Sequence, residues 1–147
     1  MLGDYRGRIV VLNFWSAECP HAERTDHAIV ACLPQWGKEV ALLTVACNSN
    51  EPDEMVASVA RQRGLPIVLR DADQSVVKRY EALTTPHIFV LDRQGILRYR
   101  GAVDDVSFRK REASRSYLQE AVEALLKGRL PEIEETLPFG CAIVRYP

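Results

Sequence analysis

Apolar and polar residues alternate between two periods along this chain, and the switches mark its elements. The run Ile9-Val10-Val11-Leu12-Asn13-Phe14 is short, continuous and rich in β-branched residues, which predicts a buried strand over 9–15. After it, Ile29, Cys32, Leu33 and Trp36 recur at spacings of three and four, the period of a helix, which Pro34 and Gly37 should end. Residues 40–46 read as a second buried strand. The polar stretch Asn48-Ser49-Asn50-Glu51-Pro52 supplies capping residues for a helix over about 53–63, which Gly64 stops. A short strand over 65–69 and a turn at Asp71-Ala72-Asp73 follow, then a helix over 74–81 with Val76, Val77 and Tyr80 on one side. The two aspartates read as a helix entry rather than a cation site. Pro86 precedes an apolar strand, the position a sheet tolerates for proline, and Arg93-Gln94-Gly95 turns the chain into a partner strand over 96–100. The segment 107–115 is a polar, basic loop; Leu118, Val122, Leu125 and Leu126 mark a last helix that Gly128 ends. Strands alternating with helices before a terminal hairpin predict an α/β sandwich around a mixed sheet.

Composition narrows the class. At 147 residues, with 47% hydrophobic and 27% charged, the chain suits one domain, with a core over 1–127 and a tail over 128–147. The tail carries Leu137-Pro138-Phe139-Gly140-Cys141-Ala142-Ile143-Val144, apolar enough to dock on the body. A net charge of -1 argues against nucleic acid as partner, and no apolar run approaches the roughly 18 residues of a membrane span. With no basic-then-apolar leader visible, the chain reads as either cytoplasmic, the expected location, or a processed fragment. Four cysteines at spacings of 13, 15 and 94 do not resemble a disulfide framework, so reduced thiols are the expectation.

The chemistry concentrates in Trp15-Ser16-Ala17-Glu18-Cys19-Pro20-His21-Ala22. Proline suits the first turn of a helix, so Cys19 falls at a strand-to-helix junction, where unpaired N–H groups and the helix dipole favour a thiolate. Glu18 opposes that effect, whereas a protonated His21 would add to it. The spacing of Cys19, His21 and His27 matches no closed zinc pattern, and no metal or other cofactor is expected. Cys32 lies about 20 Å along the helix from Cys19 and is read as a core residue.

This stretch resembles the redoxin, or thiol-specific-antioxidant-like, branch of the thioredoxin superfamily, in which a strand ends in Trp-x-x-x-Cys-Pro. The turn before the first strand, the tail's Gly140-Cys141 and the stretch Thr84-Thr85-Pro86-His87 extend the resemblance over nearly the whole chain. It implies a thioredoxin-like three-layer sandwich and a cis-proline at Pro86 facing Cys19. Two departures stand out. Ala22 occupies the place of the family's second cysteine, and Leu12 stands where peroxiredoxins have proline, although Ser16 fits their pattern.

Right-handed crossovers place the strands at 9–15 and 40–46 side by side and parallel, so Cys47 and Cys19 share one sheet edge. In the fold the chain resembles, the strand after Pro86 brings Thr85 and Pro86 to the same edge. The expected site is therefore Trp15, Ser16, Glu18, Cys19, Pro20, His21, Thr85 and Pro86, with His87 nearby. The function this implies is thiol-disulfide exchange by Cys19 as the one local nucleophile, with thiol-dependent peroxide reduction as a close variant. Its partners would be a disulfide-containing protein or small disulfide and an external thiol reductant. Resolution would fall to that thiol, to Cys47 or to Cys141. The rival reading is a non-catalytic thioredoxin-fold module that holds an extended peptide along Trp15, Thr85 and Pro86.

Overall fold

The computed structural model describes residues 2–146. Its main sheet has five strands in the order β3-β2-β1-β5-β6, where β1 is Ile9–Trp15, β2 Val40–Ala46, β3 Val68–Arg70, β5 His87–Leu91 and β6 Leu97–Gly101. The two central strands β1 and β2 are buried along their whole length, as strands covered on both faces must be. They run parallel, with Trp15 opposite Ala46, whereas β5 runs antiparallel on the other side of β1, with Phe14 opposite His87. The C-terminal ends of β1 and β2 and the start of β5 thus meet at one edge. Two further strands, β4 (Thr84–Thr85) and β7 (Cys141–Ala142), form a separate antiparallel ladder.

Helices cover both faces. Ile9, Val11, Leu42, Ile88 and Val90 pack under Ile29 and Trp36 of α1 (Pro20–Trp36) and under Leu118, Val122 and Leu125 of α4 (Tyr117–Leu126). The alternate residues Val10, Leu12, Phe14, Leu43 and Phe89 face Val77 of α3 (Ser75–Tyr80) and Ile143 of the tail. A third cluster, Trp15, Ala17, Cys19, Ala22 and Ala46, packs against Val56 of α2 (Asp53–Arg63). This is the expected three-layer α/β sandwich. No helix among the described residues is long and apolar enough to cross a membrane.

Two local expectations shift and a third holds. The helix does not end at Pro34: α1 continues to Trp36, and Gly37, at φ 61°, closes it by donating its N–H to the Leu33 carbonyl. A proline in the last turn forfeits only one backbone bond, which packing of Trp36 into the core offsets. The third strand begins at Val68 rather than 65, because Pro66 has no N–H to give a ladder. Asp71 and Asp73 do serve as a helix entry: Asp71 accepts the Val76 and Val77 N–H groups at 3.2 and 2.9 Å, and Asp73 accepts that of Ser75 at 3.0 Å.

The tail takes an indirect route. It first runs beside the outer strand β6, where the Arg100 N–H donates to the Glu134 carbonyl and Thr136 donates back to the Arg100 carbonyl, both at 3.1 Å. Thr136 then lies directly against Gly101, whose φ of 145° and lack of a side chain leave room for it. From there the chain continues to the end of the sheet where β5 starts and forms β7 against β4.

His87, expected beside the site, belongs to the core instead. Strand alternation puts it on the face of Phe89, and the two ring centroids lie 4.5 Å apart. Its Nδ1 accepts the Leu83 N–H at 3.1 Å, a bond that requires this nitrogen to be unprotonated. Burial, with Arg100 adding to it, lowers its pKa to about 4. The unfolded chain therefore binds a proton below about pH 6.5 that the native state refuses until about pH 4, so acidification through that window costs stability. Between pH 7 and pH 5 the loss should be about 2 kcal/mol. Urea unfolding at the two pH values checks this; His87→Phe should remove most of the difference, and an equal pH dependence in the variant would refute the assignment.

Candidate active site

Cys19 is the N-cap residue of α1, in extended backbone conformation at φ -78°, with Pro20 beginning the helix. The thiol is nearly buried, at 4% exposed, and its Sγ lies 3.2 Å from the Thr85 carbonyl oxygen. That carbonyl belongs to the cis Thr85–Pro86 peptide. Cys19 is bonded to Cys141, with the two Cα atoms 6.3 Å apart, a spacing ordinary for a disulfide. The expectation of four reduced thiols is therefore corrected. Spacing misled because the pair is 122 residues apart, and only the tail's route across the molecule brings it together.

Register explains the meeting. In the β4–β7 ladder Cys141 lies opposite Thr85 and Ala142 opposite Thr84. Gly140 passes so close that a methyl group there would sit within 2.8 Å of Pro86 Cδ and on top of the Thr85 carbonyl. The tail thus approaches as an added strand. Phe139 closes the outer side, its ring 4.7 Å from His21 and 4.8 Å from Phe108.

The loop before Cys19 is held from both ends of α2. Glu51, which is 2% exposed, accepts the Ser16 hydroxyl at 2.5 Å and the backbone N–H groups of Ala17 and Glu18 at 2.9 and 3.1 Å. At the other end Arg63 donates to the Ala17 carbonyl at 2.9 Å and to Asp26 at 3.0 Å, with its guanidinium 5.7 Å from the Trp15 ring. The Trp15 indole N–H donates to the same Asp26 oxygen at 2.7 Å. Burial raises the pKa of Asp26, against the lowering pull of Trp15 and Arg63.

The predicted residues accordingly sort into groups. Cys19, Pro20, His21, Thr85 and Pro86 surround the disulfide, while Trp15 and Ser16 point into the supports behind it. The Glu18 side chain is exposed, and only its backbone takes part. Cys47 is a buried free thiol that donates to the Trp15 carbonyl at 3.9 Å, and burial pushes its pKa up to about 12. Cys32 is free and packs against the core, as expected.

Sequence reasoning missed Glu51, Asp26 and Arg63. Glu51 was assigned to helix capping, but α2 begins at Asp53 after Pro52 with no side-chain cap, and the carboxylate reaches back to the site. A usable signal was present for Asp26: an acid on the otherwise buried face of α1, one turn before Ile29. Among the described residues no group of His, Cys, Asp and Glu is arranged to hold a metal ion.

Known proteins share this sequence and fold in part. Over 96 residues the chain is 35% identical to thiol-disulfide oxidoreductase ResA of Geobacillus kaustophilus (strain HTA426), covering 64% of this chain and 54% of that one. It is 28% identical over 96 residues to ResA of Bacillus thuringiensis subsp. konkukian (strain 97-27), again covering 64% and 54%. The chain thus spans about half the length of these relatives. A hypothetical protein from Sinorhizobium meliloti 1021 has a crystal structure that matches 99% of this chain and 84% of its own, with a TM-score of 0.88 and 27% identity. A protein assigned as a thioredoxin from Neisseria meningitidis shares the fold at a TM-score of 0.69 and 23% identity, over 85% of this chain and 79% of its own. The profile of the AhpC/TSA family matches residues 1–100, which include Cys19 and Pro86 but not Cys141. On that match, and with this thioredoxin-like sheet beneath it, the chain belongs to the AhpC/TSA family.

Proposed function

We propose that this protein is a thiol-disulfide oxidoreductase in which Cys19 is the nucleophile and Cys141 resolves it. The observation that carries the reading is the disulfide between a helix N-cap cysteine and a tail cysteine laid in register against Thr85. In a dithiol site on one helix the second thiol would stand at Ala22; here the tail supplies it from 122 residues away.

In the reduced protein the first turn of α1 offers unpaired N–H groups and the positive end of its dipole to the Cys19 thiolate. The thiolate attacks one sulfur of a substrate disulfide. That bond breaks, the first substrate thiol leaves with a proton, and the second stays bonded to Cys19. The Cys141 thiolate then attacks the Cys19 sulfur and expels the second substrate thiol, so the substrate gains two electrons and the protein becomes the Cys19–Cys141 disulfide. An external dithiol, or two equivalents of a monothiol, returns the protein to its reduced form and is itself oxidised to a disulfide. The Glu51 and Arg63 supports keep Cys19 aimed at Thr85 through both steps. In a reducing compartment a disulfide of this kind is a transient catalytic state rather than a staple.

The reading is tested with the full chain. Oxidation followed by digestion should yield a Cys19–Cys141 peptide, and Cys141→Ser should trap a mixed disulfide on Cys19 with a model disulfide. Cys19→Ser should abolish turnover, with hydrogen peroxide run beside the disulfide as a second oxidant. Turnover that survives Cys19→Ser would move the chemistry away from Cys19, whereas its complete lack in the parent protein would leave only the peptide-holding module. In the reduced protein near neutral pH, Cys19 should alkylate far faster than Cys47, whose thiol is held at about 12; equal rates would count against an activated Cys19.

Gly140→Ala offers a separate check. Its methyl group has to push the tail off the Thr85 carbonyl and carry Cys141 away with it. A displacement on the order of 1 Å costs about 10–100-fold in a step that depends on alignment. Stopped-flow measurement should show the mixed disulfide persisting longer by that factor, with the first attack by Cys19 unchanged. An unaltered resolution rate would mean that the ladder does not place Cys141.

A further inference from the structure

The tail is fixed beyond the disulfide by bonds in which no sulfur takes part. Ile143 is 8% exposed within the core on the α3 side. The Val144 N–H donates to Asn48 Oδ1 at 2.9 Å, and its carbonyl accepts the Ser49 N–H at 3.0 Å and Gln74 Nε2 at 2.8 Å. Gln74 Nε2 also donates to the Cys47 carbonyl at 2.7 Å, and Gln74 Oε1 accepts the Tyr146 N–H at 3.3 Å. Both ends of one amide side chain are thereby spent on joining the tail to the end of β2.

Gln74 is an unusual residue for that place. It is 3% exposed and sits at φ 58°, in the left-handed region that residues with side chains seldom adopt. Glycine or asparagine would meet the backbone demand at less cost. What glutamine adds is reach: an amide long enough to touch Cys47, Val144 and Tyr146 together. The helix entry itself does not need it, since Asp71 and Asp73 already accept the first N–H groups of α3.

We propose that Gln74 is a positioning and specificity-determining residue, which keeps the tail on Thr84 and Thr85 after the disulfide is reduced. The inference rests on the roles assigned to Cys19 and Cys141. Two effects follow from one clamp. Cys141 stays close to Cys19 in the reduced protein, which favours ring closure over release. The backbone edge of β4 stays occupied by β7, so a cysteine carried on an extended peptide has to displace the tail to lie where Cys141 lies, whereas a small disulfide needs no such edge. The clamp thus favours small disulfides over extended protein segments.

The experiment compares the parent chain with Gln74→Gly, which suits the backbone and deletes the clamp. The equilibrium constant of the Cys19–Cys141 disulfide against glutathione should fall about tenfold, equivalent to a potential about 30 mV less negative. With insulin as the protein disulfide, kcat/KM, which reports capture through the first attack, should rise several-fold. With bis(2-hydroxyethyl) disulfide kcat/KM should hold while resolution slows. Asn48→Ala, which cuts a different bond to Val144, should move the same readouts in the same direction and serves if Gln74→Gly fails to fold. An unchanged equilibrium constant in a folded variant overturns the positioning role, and an unchanged kcat/KM for insulin overturns the specificity role. A parent protein that forms no Cys19–Cys141 bond in solution fails the underlying reading instead, a result visible before any variant is made.

Discussion

The buried Glu51 carboxylate is the constraint on which the site depends. A charge 2% exposed is tolerable only if its lone pairs are used, and three donors from residues 16–18 use them. That requirement fixes the path of the chain between β1 and α1, and with it the place where the helix can begin. Cys19 becomes the N-cap where the loop held by Glu51 hands the chain over to Pro20. Arg63 and Asp26 perform the same service at the far end of α2, by tying the Ala17 carbonyl and the Trp15 indole to one ion pair. Breaking such a pair from one side strands a buried charge, which is costlier than losing an exposed bond.

Which parts were legible in the sequence follows from the range of the forces involved. Residues 9–15 read correctly as a buried strand because period and β-branching are local properties. The Cys19-Pro20 junction was equally local, and the parallel neighbour relation of β1 and β2 came from the handedness of crossovers. The pairing of Cys19 with Cys141 was not local in any sense. It needs the tail to pass β6 and turn back, and no spacing rule encodes that path. The apolar character of residues 137–144 pointed to a docked tail, and the resemblance at Gly140-Cys141 made Cys141 one candidate to resolve Cys19, but neither told which thiol would pair.

Glu51 and His87 show the opposite kind of error, in which a good local reading was overridden. Glu51 stands in a stretch of helix-entry residues, and its neighbours behave that way, but a buried network offered it stronger bonds than a cap would. His87 follows Pro86 in the chain and therefore seemed near the site; strand alternation turned its ring to Phe89. Pro34 is a milder case, since a helix breaker was absorbed where few bonds remained to break. In each instance tertiary packing outweighed a preference worth about 1–3 kcal/mol.

The passage of the tail beside β6 has a consequence apart from redox chemistry. A strand at the end of a sheet exposes a row of unpaired N–H and C=O groups that can recruit a strand from another molecule. Here Glu134 and Thr136 take up the free groups of Arg100, and Gly101 lets Thr136 settle against the strand without a gap. The segment that delivers a thiol to Cys19 therefore seals the β6 edge on its way. Deleting the whole tail, instead of substituting Cys141 alone, would bare β6 as well, and self-association of such a fragment would reflect an open sheet edge rather than a lost disulfide.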